Sequence, residues 1–248
     1  MISLVAFDLD DTLAESKQPL KESMGRAIAD LLSVAHVAVI SGGDWPQFEK
    51  QIVSRLANHA DLSKLWLMPT TGTKLYLYRD SKWAPKFADV FTDNGRKEII
   101  DAFNASLDAT GFTPGKTWGE RIEDRGSQVT FSALGQQAPI AEKKQWDPDF
   151  AKRKIIQADL RKRLPGLSIN MGGSTSIDIT REGVDKGSAL KKLGDASGIP
   201  LERMMFIGDA IFPGGNDYPA KEIGLKTVLV HNPEDTLVAI ASIIACLQ

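Results

Sequence analysis

The chain has 248 residues, 42% of them hydrophobic and 25% charged, with 30 Lys and Arg against 32 Asp and Glu. That length is ample for a real core in one large domain or two small ones. The near-neutral balance excludes a disordered chain and a dedicated nucleic-acid binder, which would carry a basic surplus. The one cysteine, Cys246, leaves no intrachain disulfide and points to a reducing compartment. No apolar run has the length to cross a bilayer, and the opening MISLVAFDLDD lacks the basic lead of a secretory signal. A cytoplasmic chain with no membrane or nucleic-acid partner is the expectation.

Ile2 to Phe7 is a short, nearly continuous apolar run, as expected of a buried parallel strand. Pro19 is expected to open a helical stretch in which Ile28, Leu31 and Leu32 recur at helical spacing. His36 to Ile40 reads as a second buried strand ending at Ser41-Gly42-Gly43. Trp45 to Leu56 reads as helix, with Phe48, Ile52 and Leu56 on one face, and Leu65 to Met68 as a third strand. The far end of the chain repeats the rhythm. Lys186 to Ala196 is helical in pattern, Met204 to Ile207 and Lys226 to Val230 are strands, and Pro233 to Leu247 is a closing helix. Strands alternating with helices imply an α/β fold: a Rossmann-like, doubly wound parallel sheet covered on both faces.

The middle is different. A helix is expected near Gly95 to Leu107, then two alternating segments, Glu120 to Asp124 and Gln128 to Ala133, as antiparallel strands with one wet face. A second helix follows from about Asp149 to Leu164, then strands at Leu167 to Met171 and Ser176 to Thr180. Gly135 to Asp147 reads as the least structured stretch. The expected organisation is a core of residues 1–81 and 186–248 interrupted by an α+β insertion of residues 82–185.

Four segments carry chemistry, and each falls where a strand ends or a helix begins. Ligands of open parallel sheets bind at the carboxyl edge of the strands, so distant segments converge there. Asp8-Leu9-Asp10-Asp11-Thr12 follows the first buried strand. Two residues apart, Asp8 and Asp10 can face the same way. One carboxylate can attack phosphorus, and the other can protonate a leaving oxygen and later deprotonate water. A lone DxD is more often an acidic turn that caps a helix. Ser41-Gly42-Gly43 offers a hydroxyl and unhindered N–H groups to a phosphate, although a Gly-Gly turn is commoner than an anion site. Lys186, opening a helix, can offset repulsion between an anionic nucleophile and an anionic phosphoryl group, or can be an ordinary surface charge. Gly208-Asp209 and Gly214-Gly215-Asn216-Asp217 follow a strand. Oxygen ligands from Asp8, Asp209 and Asp217, with no His/Cys cluster nearby, suit Mg²⁺ rather than zinc. The occurrence of all four in order makes a shared site a better account than four coincidences.

These segments resemble those of the haloacid dehalogenase (HAD) superfamily, over essentially the whole chain, and specifically members with a large α/β cap inserted between the second and third motifs. The resemblance implies Asp8 as nucleophile, Asp10 as general acid/base, and Ser41 with Gly42 as the phosphate-binding loop. It implies Lys186 as the motif lysine and Mg²⁺ held by Asp8, Asp209, Asp217 and the backbone carbonyl of Asp10, with Asn216 in support. Asp11 stands where Gly is frequent in the family. The run from Gly208 to Asp217, with its Pro-Gly-Gly insert, looks like the metal loop of eukaryotic-type α-phosphomannomutases. Gly172-Gly173-Ser174-Thr175-Ser176-Ile177-Asp178 is similar to their cap segment that contacts the sugar phosphate, and Pro233-Glu234-Asp235-Thr236 also recurs there. By that likeness Arg125, Ser176 and Asp178 are the candidate substrate contacts of the cap. Gln136 departs from the pattern: those mutases carry a further cap arginine there, which grips a second phosphate. Lys143 and Lys144 stand as alternatives for that grip.

The main reading at this level is a Mg²⁺-dependent phosphatase acting on a small phosphorylated metabolite, a sugar phosphate, through an aspartyl-phosphate. The alternative is a phosphomannomutase-like phosphohexomutase that interconverts sugar 1- and 6-phosphates. A catalytically silent Mg²⁺-binding sensor is a third reading, opposed by the presence of both Asp8 and Asp10 and of a full cap. The resemblance also admits a homodimer through the cap, an interface the sequence does not itself spell out.

Overall fold

Leu4, Val5, Ala6 and Phe7 (β1, Leu4–Phe7) are all fully buried in the computed structural model, which describes residues 1–113 and 115–248. A strand apolar on both faces needs a helical layer on each side, and the later elements supply them. After β1 come α1 (Glu22–Val34), β2 (His36–Ile40), α2 (Trp45–Gln51), β3 (Leu65–Met68), the single turn α3 (Pro69–Gly72), β4 (Lys74–Arg79) and β5 (Lys82–Ala88). Val5, Phe7, Val37, Val39, Leu65 and Leu67 point into one apolar layer with Met24, Ile28, Leu31 and Leu32 of α1 and Phe48 of α2.

Two expected helices are shorter than their patterns. α1 begins at Glu22 rather than Pro19, and α2 ends at Gln51, giving way to a 3₁₀ turn at Val53–Arg55. At the end of α2 the Gln51 carbonyl accepts from the Leu20 amide, which takes that carbonyl out of helical pairing. The β-branched pair Ile52-Val53 is a poor continuation for a helix in any case.

The chain then forms a separate unit, Asp89–Val184. It contains α4 (Asp93–Thr110), β6 (Ile122–Asp124), β7 (Val129–Ser132), α5 (Ile140–Trp146), α6 (Ala151–Arg163), β8 (Leu167–Gly172) and β9 (Ser176–Arg181). α4 starts where Thr92 Oγ1 accepts from the Gly95 amide and stops at Gly111, whose φ of 72° needs no Cβ. The strands make an antiparallel sheet in the order β6-β7-β9-β8. Val129, Phe131, Ile177, Ile179 and Ile169 line its apolar face, packed on Ile99 and Phe103 of α4 and Ile156 and Leu160 of α6. The stretch expected to be least structured holds α5, whose seven residues are too few to display a helical period.

The return run, Asp185–Gln248, completes the first unit with α7 (Lys186–Ser197), β10 (Met204–Gly208), α8 (Tyr218–Glu222), β11 (Lys226–Leu229) and α9 (Pro233–Leu247). The seven-stranded sheet runs β11-β10-β1-β2-β3-β4-β5, parallel from β11 to β3 and antiparallel in the last two pairings. α7 seals the second face, where Ala189, Leu190 and Leu193 meet Leu4, Ala6, Ile40, Met204 and Phe206. Among the described residues, no helix is long and apolar enough to cross a membrane.

The boundary at Lys82 is corrected. Lys82–Ala88 stays with the first unit as an edge strand paired to β4, with Tyr78 opposite Trp83 and Arg79 opposite Lys82. Asp80 and Ser81 join the two strands with φ of 51° and 60°, the doubly left-handed turn that suits a two-residue hairpin. The usual glycine signal for that turn is missing, so the hairpin was not visible in the sequence. Asp185 likewise belongs to the first unit, as the cap of α7.

Candidate active site

The first unit brings four side chains, from strand ends and helix starts, into contact. Asp8 follows β1, Asp209 follows β10, Asp217 stands directly before α8 and Lys186 opens α7. One oxygen from each of Asp8, Asp209 and Asp217 lies within 4.8 Å of the others. Lys186 Nζ donates to Asp8 Oδ1 at 2.6 Å and to Asp217 Oδ1 at 2.5 Å. Lys186, Asp8 and Asp217 are buried, so these charges interact at low dielectric and with little screening.

Local chemistry holds each group in place. Asp185 accepts from the Ser188 amide while Ser188 Oγ accepts from the Asp185 amide, a capping box that fixes the first turn of α7 and with it Lys186. A cation at a helix N-terminus is disfavoured by the helix dipole, and here two carboxylates offset that. Asp217 Oδ2 accepts from the Ala210 amide at 3.0 Å. A Cβ on Gly208 would stand 2.3 Å from that same carboxylate oxygen, so glycine at this strand end is what admits Asp217. Thr12 Oγ1 donates to Asp209 Oδ1 at 3.4 Å. Asp11 has a φ of 60°, in the left-handed region, where Asp is among the L-residues best suited.

The remaining expected residues fall in three places. Ser41 and Gly42 follow β2, with Ser41 buried and its Oγ accepting from the Gly43 amide at 3.3 Å. The Asp10 carboxylate accepts from the Lys17 amide at 2.7 Å and is not part of the three-carboxylate cluster. Its expected role toward a metal lies with its backbone carbonyl, not its side chain. Asn216 lies in the loop before Asp217. In the second unit, Asp178 Oδ1 accepts from Thr130 Oγ1 at 2.7 Å, Ser176 Oγ lies 3.3 Å from Ser132 Oγ, and Arg125 pairs with Glu123 at 2.7 Å.

Two features escape sequence reasoning. Thr236 Oγ1 donates to the Thr12 carbonyl at 2.7 Å, tying α9 to the loop that carries Asp8 and Asp10. The Pro233-Glu234-Asp235-Thr236 run is its sequence signal, but the run alone gives the threonine no role. Thr70 and Thr71, with φ of 50° and 56°, donate their amides to the carbonyls of Gly43 and Ser41 at 2.8 and 2.9 Å. Two successive β-branched residues in the left-handed region are strained, and here they hold the Ser41-Gly42-Gly43 loop. Nothing in Pro69-Thr70-Thr71-Gly72 announces this.

Burial pushes the Asp8 carboxyl well above the ordinary carboxylate range; Lys186 opposes this, and the charges of Asp217 and Asp209 reinforce it. Burial and the Asp217 charge push Asp209 up to about 6. Burial works against the charge of Lys186, but Asp217 and Asp8 outweigh it and hold the ammonium above its ordinary value. Three hard carboxylate oxygens gathered this closely, two of them buried, are the donor set a small divalent cation takes, so Asp8, Asp209 and Asp217 fit Mg²⁺.

Asp209 binds more of a proton in the folded chain than in the unfolded one between the ordinary value of 3.8 and about 6, while His36, held below its ordinary value by burial, titrates in the opposite sense. The contribution of Asp209 to stability without metal therefore falls as pH rises through that window. The rise in melting temperature on adding Mg²⁺ to a chelator-stripped chain is expected to be larger at pH 7 than at pH 5, since at pH 5 the Asp209 proton competes with the metal. Scanning calorimetry at both pH values checks this, and an equal Mg²⁺ effect at the two would count against the cluster as the metal site.

The eukaryotic phosphomannomutase family model matches residues 24–246, nearly the whole chain and both units. The chain belongs to this family. Among its relatives, the phosphomannomutase of Encephalitozoon cuniculi is 26% identical over 94% of this chain and 90% of its own. That of Schizosaccharomyces pombe is 26% identical over 97% and 94%, and that of Arabidopsis thaliana 28% over 94% and 93%. Solved structures share the fold at low identity. The Plasmodium falciparum IMP-nucleotidase has a TM-score of 0.71 at 16% identity, covering 100% of this chain and 71% of that one. The C-terminal domain of the Candida albicans trehalose-6-phosphate phosphatase has a TM-score of 0.67 at 16% identity, covering 98% and 92%. This phosphomannomutase-family chain therefore has the HAD-type α/β fold, and phosphoryl-transfer chemistry is the activity class its family and its acidic cluster have in common.

Proposed function

We propose that the chain is a phosphohexomutase of the phosphomannomutase type, interconverting hexose 1- and 6-phosphates. The observation that carries this is the family match over both units; the hydrolase reading preferred from sequence alone lacks an equivalent. In the proposed reaction an Asp8 carboxylate oxygen forms a bond to phosphorus while the bond from phosphorus to the sugar oxygen breaks, and Asp10 gives its proton to that oxygen. In the second half, the free hydroxyl of a hexose monophosphate gives its proton to Asp10 while its oxygen displaces Asp8 from phosphorus; the hexose bisphosphate so formed turns and returns its other phosphate to Asp8, leaving the isomeric monophosphate. Lys186 orients the nucleophile and opposes its protonation, and Ser41 and Gly42 receive the phosphoryl oxygens. Mg²⁺, held by Asp8, Asp209 and Asp217, would supply neutralising charge when bound. The unit Asp89–Val184 is proposed as the specificity cap, with Arg125, Ser176 and Asp178 as sugar-phosphate contacts. A homodimer through this unit, with a small phosphorylated sugar as the partner molecule, belongs to the same proposal.

Hydrolysis by the same aspartyl-phosphate is the second reading, favoured by Gln136. Its side chain cannot give an arginine's two-pronged grip on a second phosphate. Lys143 Nζ donates to the Gln136 carbonyl at 3.3 Å, and its nearness to this position supports Lys143 as the substitute cation in the mutase reading. A coupled assay of mannose 1-phosphate to mannose 6-phosphate conversion, with a hexose bisphosphate as activator and phosphate release followed in parallel, separates the two. Isomerisation is expected to outpace phosphate release by about tenfold or more, since a mutase must protect its aspartyl-phosphate from water. Phosphate release without isomerisation would sink the mutase reading.

A further inference from the structure

We propose that Arg153 is a positioning residue that shapes the Gly172–Ser176 turn and thereby seats Asp178 for the sugar phosphate. The inference rests on the reading of that segment as a substrate contact. Arg153 lies in the first turn of α6 and is 1% exposed; its partner Asp147 is also fully buried. Asp147 anchors the start of the helix, accepting from the Lys152 and Arg153 amides, and takes the Arg153 Nε at 2.7 Å. One terminal nitrogen of the guanidinium then donates to the Gly172 carbonyl at 2.7 Å and the Gly173 carbonyl at 2.6 Å, with the Ser176 carbonyl at 3.5 Å.

Such an arrangement is more than an ion pair. Two successive carbonyls turned to one donor fix the backbone of the turn between β8 and β9. Gly172 is in turn the residue over which Asp178 lies, since a Cβ there would stand 2.6 Å from Asp178 Oδ2. A shift of the turn is therefore a shift of the Asp178 seat. Arginine is needed for this because its planar fork serves a carboxylate with one edge and carbonyls with another, while an ammonium is a single point of charge. A buried pair of this kind contributes little net stability by itself, which leaves geometry as its contribution.

The test compares wild type, Arg153→Met and Arg153→Lys. Arg153→Lys keeps a cation opposite Asp147, so it decides the matter if Arg153→Met fails to fold. In peptides spanning Met171 to Ile177, amide exchange in Arg153→Lys is expected to rise about tenfold or more, while peptides from α4 exchange as in wild type. The KM for mannose 6-phosphate is expected to rise about tenfold or more with kcat changed far less, and kcat/KM for phenyl phosphate, which carries no sugar, to fall by a smaller factor. Equal exchange in wild type and Arg153→Lys overturns the positioning role. So does an equal loss of kcat/KM on both esters, which a purely structural residue would give. The exchange readout does not depend on turnover: a wild-type chain inert toward hexose phosphates would sink the functional reading while leaving the role of Arg153 in the turn to be decided by exchange alone.

Discussion

Asp8→Asn is expected to fold, to melt no earlier than the wild-type chain when Mg²⁺ is absent, and to lose roughly 10⁴-fold or more of the phosphoryl-transfer rate. The two halves of this expectation share one cause. Asp8 is buried beside Asp209 and Asp217, and its carboxyl is held well above the ordinary range because the charged form is unfavourable there. An asparagine removes that unfavourable charge and still offers an oxygen to Lys186 Nζ, which keeps Asp217 as an anionic partner at 2.5 Å. Rate and stability therefore move in opposite directions, as at other sites where charges are gathered for chemistry. The same substitution turns one of the three carboxylates available to a cation into a neutral amide, so the rise in melting temperature on adding Mg²⁺ should shrink. Asp10→Asn provides the contrast. If Asp10 handles the proton, that variant retains the nucleophile and accumulates phospho-protein from an activated donor such as acetyl phosphate, whereas Asp8→Asn takes up none. Mass spectrometry of the intact chain reads both. Phospho-protein on Asp8→Asn, or turnover near the wild-type rate, would remove Asp8 from the mechanism.

The site was legible in the sequence to the extent that its residues sit at strand ends. A buried parallel strand is visible as an apolar run, and topology alone places the residue just beyond it. Asp8 after Phe7, Ser41 after Ile40 and Asp209 after Gly208 all come from this rule. Lys186 was legible for a different reason, as the first residue of a capped helix. The sequence conceals conformations that side-chain type does not announce. Thr70 and Thr71 hold the Ser41 loop through left-handed backbone that threonine disfavours, so propensity points away from the observed structure. The β4–β5 hairpin turns on Asp80-Ser81, again without glycine. α5 is about two turns long and leaves no period to read. Arg153 was the least visible of all: an arginine in a polar helix is ordinarily a solvated charge, and only the fold reveals Asp147 and two carbonyls gathered around it.

Lys186→Met is expected to be destabilised by about 3–5 kcal/mol at neutral pH without metal, because removing one member of a buried charge cluster leaves the others uncompensated. For a chain of this size that amounts to a fall of roughly 10 °C in melting temperature. Methionine matches the lysine stem in length, so packing against Phe206, whose ring centroid lies 5.8 Å from the Lys186 ammonium, is largely preserved. The loss is therefore electrostatic, and it carries a signature that a packing defect lacks. Without the ammonium, Asp8, Asp209 and Asp217 face one another with no cation, and each gains from taking up a proton. Acidification from pH 7 to pH 5 should restore much of the lost stability, and Mg²⁺ at pH 7 should restore it by a different route, since either neutralises the same carboxylates. Activity should not return with it. Mg²⁺ compensates for charge but does not replace the donor that Lys186 holds against Asp8, and the rate is expected to stay roughly 10²–10³-fold down even in the metal-saturated variant. Lys186→Arg keeps the charge but not the fit, since a planar fork replaces a compact ammonium between two carboxylates already at 2.6 and 2.5 Å. It should recover more stability than activity. Melting curves for the three proteins at pH 5 and pH 7, with and without Mg²⁺, settle the electrostatic account: a deficit in Lys186→Met that neither protons nor Mg²⁺ reduces would show that the lysine acts through packing instead.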